Sequence, residues 1–189
     1  MKARHGICLI PIFCLAVGAY AAADTVMIYV QAVPAKDAGV LPEAVVKDGA
    51  ALRSAVEEGI MDEFFDGGHI VFNEPPVKPA GGVQSQTVAL EGESRNSAEI
   101  QKWYEVQQTA VRGGATRLVE VMFVYVPDET GKKAHPVNAR YSLWELKPRG
   151  LLRTGAVDAT TLTDRSVEGV DYVGKLMGQT IAIDLFNAW

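Results

Sequence analysis

The stretch "TRLVEVMFVYVPDETGKKAHPVNARYSLWELKPRGLLRTGAVDA", from Thr116 to Ala159, contains three apolar, β-branched segments in succession. The polar turn "DETGKKAHP" separates the first segment from the second, and "PRG" separates the second from the third. Successive strands with short connections form an antiparallel meander. Every second residue from Val119 to Tyr125 falls on one face of the first strand, and the positions between them also include apolar residues. We therefore expect helices to cover one face of the meander and a loop or partner to cover the other.

Two segments before the meander have the apolar spacing of helices. In residues 46–65 an apolar residue recurs every four positions from Leu52 to Phe64, and residues 98–112 show a similar spacing. Gly67-Gly68 and Gly113-Gly114 follow these segments, and such glycines permit the left-handed turn that ends a helix. Short apolar runs at 25–33 and 69–72 flank the first helix and predict two strands.

The last segment, from Asp164 to Trp189, fits a helix by its apolar spacing, although its final residues also alternate as a strand would. Gly174 and Gly178 form a G-x-x-x-G pair there, which favours close packing on the sheet and also allows a contact with another helix. With this segment as a helix, the element order is β-α-β-α-β-β-β-α. The order predicts an α/β layered domain with a mixed sheet, an antiparallel C-terminal meander and helices packed on the sheet.

The amino terminus has the pattern of a cleavable secretory signal. A basic start, "MKARHG", precedes the apolar run "ICLIPIFCLAVGA" and small residues at Ala19, Ala21 and Ala23. We expect a cleavable signal over residues 1–23, with the cut after Ala21 or Ala23, and a single domain over 24–189. An uncleaved anchor is less favoured because the run is shorter than the roughly 20 residues of a membrane span. Lipidation at Cys14 is less favoured because a phenylalanine precedes that cysteine.

Cleavage would change the chemistry available to the mature chain. Both cysteines, Cys8 and Cys14, would leave with the signal, so no disulfide, thiol nucleophile or cysteine metal site is expected. Loss of Lys2 and Arg4 takes the formal net charge from −5 to −7. No basic stripe is present, so nucleic acid is not an expected partner. No further apolar run is long enough to cross a membrane. No cofactor is expected, because "RGGATR" (112–117) lacks the phosphate-loop pattern and ends a helix instead of starting one.

The region 74–97 is rich in proline, glycine and small polar residues and follows no period. A connection this long is unusual inside a compact domain and is often functional or mobile. A solvated insertion without a role is the alternative. Pro75, Pro76 and Pro79 lie in it and are candidates for a partner surface, and Asn96 with Glu99 forms a capping-box pattern at its end.

Two sets of residues could form a metal-binding or catalytic site. Asp62, Asp66 and His69 could approach a metal ion, but zinc sites need fixed ligand geometry and a glycine break separates the aspartates from the histidine. Glu120 and Glu145 lie in predicted strands and could supply the two carboxylates of a hydrolase if they share a face. The alternatives are a helix end followed by a strand for the first set and ordinary cross-strand contacts for the second. We expect no metal site and no catalytic residue.

Aromatic residues offer a third kind of site. Tyr141 and Trp144 could line a surface for a glycan, a small ligand or a protein partner, as could Trp103, Tyr104 and Trp189. Packing in the core is the more common use of such rings, and we expect it for at least two of them.

The order of elements resembles the periplasmic α/β domain shared by the TolB amino-terminal domain and the curli-secretion and lipoprotein-activator group. The matching segments are "FFDGGHIVF", "RGGATRLVEVMFVY" and "VGKLMGQTIAIDLF", and the strand starting at Gly68-His69-Ile70-Val71 begins as that group's strand does, with a glycine and an aliphatic pair. The resemblance covers most of the mature chain, although the lipobox cysteine of the group is absent. It implies an accessory or assembly role in envelope machinery, without catalysis.

These observations predict an exported, non-enzymatic protein that acts through protein contacts in the cell envelope. The expected contact surfaces are the 74–97 loop and the exposed face or edge of the meander. A periplasmic module that binds a glycan or small ligand and a hydrolase that uses Glu120 and Glu145 are the alternatives.

Overall fold

A computed structural model describes residues 23–35, 39–73, 97–162, 170–187 and 189 of the chain. The strands are β1 (Thr25–Pro34), β2 (Ile70–Phe72), β3 (Arg117–Pro127), β4 (Ala134–Leu146) and β5 (Arg149–Asp158). The helices are α1 (Glu43–Asp66), α2 (Ser97–Arg112) and α3 (Val170–Phe186), and a 3-10 turn spans Ala159–Thr161. The predicted α/β class and element order are confirmed, and the last segment is a helix from Val170 to Phe186. The predicted signal up to residue 22, the three candidate prolines and Asn96 lie outside the described residues.

The five strands form one mixed sheet in the order β2-β1-β3-β4-β5. β1 lies between β2 and β3 and runs parallel to both, since α1 and α2 each carry the chain back across the sheet. β3, β4 and β5 pair antiparallel, as the meander predicts. Among the described helices, none combines the length and the apolar character that a membrane crossing requires.

One face of the sheet packs against α1 and α3. Its core contains Ile28 from β1, Phe123 from β3 and Leu143 from β4, all fully buried. The apolar stripe of α1 from Leu52 to Phe64 and the α3 residues Met177, Ile181 and Leu185 complete it. The predicted alternation from Val119 to Tyr125 points into this layer, which we call the two-helix face.

The helices α1 and α3 approach each other closely through glycines. A Cβ atom at Gly59 would lie well inside contact distance of the Lys175 carbonyl oxygen, and one at Gly178 would meet the Val56 carbonyl oxygen in the same way. The G-x-x-x-G pair of α3 therefore packs against another helix of the same chain, which was the less favoured of the two expectations.

The opposite face of the sheet is covered at one end by α2. Met27, Leu118 and Trp144 from three strands pack there with Trp103 and Ala110 of the helix. The cover expected from a loop or partner is thus partly a helix of the chain itself. We call this the one-helix face.

The junction between α1 and β2 has the predicted form. Gly68 has a φ of 83°, in the left-handed region, and the backbone amide of His69 donates to the Phe64 carbonyl at 3.0 Å. This reversal sends the chain from the end of α1 directly into β2 beside β1.

Candidate contact surface

Tyr141 and Trp144 lie on opposite faces of β4. Tyr141 belongs to the two-helix face and Trp144 to the one-helix face, and each side chain is only 6% exposed. Burial this deep removes both rings from the accessible surface. The expectation that these two residues line a ligand or partner surface is therefore corrected, whereas the prediction for the prolines at 75, 76 and 79 lies outside the described residues.

Tyr141 is part of a hydrogen-bonded group at the rim of the two-helix face. Its hydroxyl donates to Asp184 Oδ2 at 2.6 Å, and Arg153 Nε donates to the same oxygen at 2.7 Å. A second nitrogen of Arg153 contacts the other carboxylate oxygen, so the ion pair is bidentate. Hydrogen bonds from Arg153 and then Tyr141 lower the pKa of Asp184, while burial and the Asp184 carboxylate raise the pKa of Tyr141. The group joins α3 to β4 and β5, and its three side chains hydrogen-bond to one another.

Trp144 lies in an aromatic cluster under α2. Its ring is 5.2 Å from that of Trp103 in an edge-to-face arrangement, and Trp103 meets Tyr104 at 5.1 Å. Gln107, one turn further along α2, is fully buried. Among the described residues, neither polar atom of its amide has a hydrogen-bond partner, and the same holds for the indole Nε1 atoms of the two tryptophans. The expectation that at least two of the aromatic residues serve as core is confirmed.

The two carboxylates of the hydrolase interpretation do not come together. Glu120 pairs with Ser142 across β3 and β4, whereas Glu145 pairs with Arg117. With Leu143 on the two-helix face and alternation along β4, Glu145 falls on that face and Glu120 on the other. A glycosidase needs both carboxyl groups in one cleft, flanking the same substrate bond at a separation of about 5–9.5 Å. The expectation that they could share a face is therefore wrong.

His69 lies in an aromatic cluster. Its ring is 4.6 Å from Trp189 and 5.8 Å from both Phe64 and Phe186. Burial lowers its pKa; the charge of Asp24 acts in the opposite direction and that of Arg117 in the same one. The described residues contain no group of three or more acidic, histidine or cysteine side chains placed to hold a metal ion. Asp62 forms an ion pair with Lys175, with 2.7 Å between Oδ2 and Nζ.

Part of the one-helix face is exposed where α2 does not cover it. Met122 on β3 is 40% exposed, and Arg140, its cross-strand partner on β4, is also exposed. Thr154 and Ala156 of β5 continue this surface, and both are exposed. We call this area the open face. It combines apolar side chains with the positive charge of Arg140.

The open face ends at β5, an edge strand of ten residues. No strand in the described part of the chain pairs with its outer side. Two consecutive apolar side chains, Leu151 and Leu152, are 50% and 41% exposed on it. Leu152 is a bulge residue, because Leu143 of β4 pairs with Arg153 and the next residue of β4 pairs with Leu151. Sequence reasoning named the meander edge but missed these leucines, which the apolar pair after the "PRG" turn could have indicated.

The geometry defines an α/β domain with one sheet face closed by two helices and the other partly open, next to an edge strand that no other described strand covers. No family model and no curated protein matches the sequence. Solved structures that share some of the path include a single-substitution PelC dodecamer from Paraburkholderia phytofirmans, 11% identical with a TM-score of 0.41. That alignment covers 85% of this chain and 87% of the other.

A second PelC dodecamer from the same organism is 12% identical with a TM-score of 0.40, over 85% of this chain and 86% of that one. Both TM-scores are below 0.5. Neither structure is of the TolB or curli-secretion type, and that resemblance stays a prediction.

Proposed function

We propose that this protein is an exported, non-catalytic domain that acts in the cell envelope by binding another protein through the open face and the β5 edge. The observation that carries the proposal is the edge strand itself. A ten-residue strand at a sheet edge presents unpaired backbone N–H and C=O groups, which proteins normally cover, bend away or use for binding. Here two exposed leucines accompany those groups.

The export component is supported by the position of the domain relative to the signal pattern. β1 begins at Thr25, just after the predicted cleavage sites at Ala21 and Ala23. β1 lies inside the sheet, between β2 and β3, so a cut at either site would leave all five strands in the mature chain.

The mode of binding follows from the chemistry of the surface. Backbone groups of an edge strand can add a strand from a partner, and neighbouring side chains select its sequence. The open face adds Met122 for apolar contact and Arg140 for an acidic or carbonyl-bearing group. The separation of Glu120 and Glu145 onto opposite faces removes the two-carboxylate hydrolase as the competing proposal.

Site-specific crosslinking in the native cell tests the proposal. A photoreactive phenylalanine is placed at Met122 on the open face or, as the matched control, at Ala50, an exposed residue of α1. We expect irradiation to join the position-122 variant to one defined envelope protein, identified by mass spectrometry, and the position-50 variant to none. Equal capture at both positions, or none at position 122 with the exported protein present at normal level, would overturn the proposal.

A further inference from the structure

We infer that the β5 edge is occupied by β5 of a second copy of this chain, antiparallel to the first, so that two five-stranded sheets form one continuous sheet. This inference rests on the proposed function and narrows it: a second copy of this chain takes the β5 edge, and the other envelope protein binds at the open face alone. Such pairing has twofold symmetry, and the same residues contribute from both subunits.

Charges at the two ends of β5 match in this orientation. The strand begins at Arg149 and ends at Asp158, and both side chains are exposed. Antiparallel pairing places Arg149 opposite Asp158 of the partner subunit, and the twofold axis repeats that contact at the other end. Opposite charges in directly opposed positions stabilise strand pairs, and like charges destabilise them. A parallel arrangement would instead bring like charges together.

The bulge at Leu152 makes the register consistent with the pleat. With the twofold axis at Thr154, that residue faces its own copy and Arg153 faces Gly155. Leu152 is an extra residue in the strand, so every pair beyond it is shifted by one position. Gly150 then faces Val157 of the other copy, and Arg149 faces Asp158. The pairing with β4 places Gly150 and Val157 on the two-helix face and both charged residues on the one-helix face. Directly opposed side chains must point to one face, and this register satisfies that condition.

Apolar contacts reinforce the match. Leu151 and Leu152 meet the region of Ala156 in the other copy, so two exposed apolar side chains on each subunit leave water. The central arginines do not oppose this, since Arg153 is already held by Asp184.

A cysteine on the proposed axis tests the pairing directly. Directly opposed residues of antiparallel strands have Cα atoms about 4.5–5.5 Å apart, within the roughly 4.4–6.8 Å range of disulfides. We expect the exported form of Thr154→Cys to give a disulfide-linked dimer under mild oxidation, and a reducing agent to return it to monomers on a denaturing gel. Ala156→Cys is the matched control on the same strand and face. Its copy lies four residues out of register, about 13 Å away, so it stays monomeric on a non-reducing gel.

Charge exchange provides the second measurement. Arg149→Asp alone and Asp158→Arg alone each place like charges at both ends of the pair, and we expect each to weaken self-association by about tenfold or more in light scattering. Mixing the two variants restores opposite charges at both ends, and we expect association to return as a heterodimer. Circular dichroism of each variant checks that the fold is retained, since Asp158 also accepts a hydrogen bond from Thr160.

The outcomes separate this inference from the proposed function. Equal crosslinking of the two cysteine variants, absence of crosslinking in both, or no recovery on mixing would overturn self-pairing. Capture of another protein at position 122 would still support the proposed function in that case. A Thr154→Cys dimer without capture at position 122 would support self-pairing and overturn the role of the open face.

Discussion

At the residue scale, the amide of Gln107 is buried without compensation. The residue is 0% exposed, and neither atom of its amide has a hydrogen-bond partner in the part of the chain that the structure describes. Unsatisfied buried polar groups are rare because each loses its hydrogen bonds to water on folding. Its position beside Trp103, whose Nε1 is also unpartnered, makes the underside of α2 less stable than its aromatic contacts would suggest.

Replacing the amide with an apolar group of similar size should therefore stabilise the fold. We expect Gln107→Met to raise the free energy of unfolding by about 1–3 kcal/mol, the penalty associated with leaving such groups unsatisfied. Chemical denaturation of the exported domain measures it, with Gln108→Met at the neighbouring, partly exposed position as the control. A loss of stability in Gln107→Met would show that the amide has a polar partner in solution.

His69 gives the protein a dependence on acid. Because burial lowers its pKa below the ordinary 6.5, the folded chain binds a proton at this site less readily than the unfolded chain. The stability contributed by the neutral ring is therefore present above about pH 6.5 and is lost as the pH falls through the folded pKa. We expect the melting temperature of the wild type to fall further than that of His69→Gln between about pH 7.5 and about pH 5. His135→Gln, at an exposed position of β4, is the control; equal slopes for wild type and His69→Gln would contradict the argument.

At the scale of elements, the contact between α1 and α3 depends on the absence of side chains. Gly59 lets the backbone of α3 approach at Lys175, and Lys175 also pairs with Glu58 at 2.9 Å and Asp62 at 2.7 Å. The glycines bring the two helices together, and the lysine joins them at the surface. Together they form the layer that closes the two-helix face.

A methyl group in this contact should separate the helices. Alanine favours the helical conformation over glycine by about 1 kcal/mol, yet at Gly59 the methyl would overlap a backbone oxygen that cannot move alone. We expect Gly59→Ala to lower the free energy of unfolding by about 1–3 kcal/mol, the usual effect of overpacking. Gly150→Ala, where no atom lies within 4 Å of the added carbon, is the control. If thermal melting shows the two variants alike, the helices are not in close contact.

Local pattern predicted the elements, while partners distant in sequence decided the site. The spacing from Leu52 to Phe64 and the glycine pair after it are local, so the sequence alone located α1 and its end. The separation of Glu120 from Glu145 depends on the register between β3 and β4, which places Arg117 opposite Glu145. No single-strand pattern contains that register. The burial of Tyr141 likewise depends on Asp184, 43 residues away, so its apparent suitability as a surface aromatic was wrong.

At the scale of the whole molecule, the described chain is closed by a contact between its two ends. Trp189 Nε1 donates to Asp24 Oδ2 at 2.9 Å, and the guanidinium of Arg117 lies 3.8 Å above the indole ring. Asp24 also pairs with Arg117 at 3.2 Å. The last residue thus joins the segments before β1 and at the start of β3 to the aromatic cluster around His69.

Loss of this ring should loosen both ends at once, because each of its contacts joins segments far apart in sequence. A charge-assisted hydrogen bond contributes about 1.5–3 kcal/mol and a cation–π contact about 0.5–1 kcal/mol at exposed sites. Trp189 is partly exposed, so we expect Trp189→Ala to lower the free energy of unfolding by about 2–3 kcal/mol overall. Hydrogen exchange should show faster exchange at the backbone amides of Thr25 and Ile70, which donate beside this contact. Trp189→Phe keeps the ring but removes the donor, so it should recover part of the stability; if it matches alanine, the hydrogen bond to Asp24 alone joins the ends.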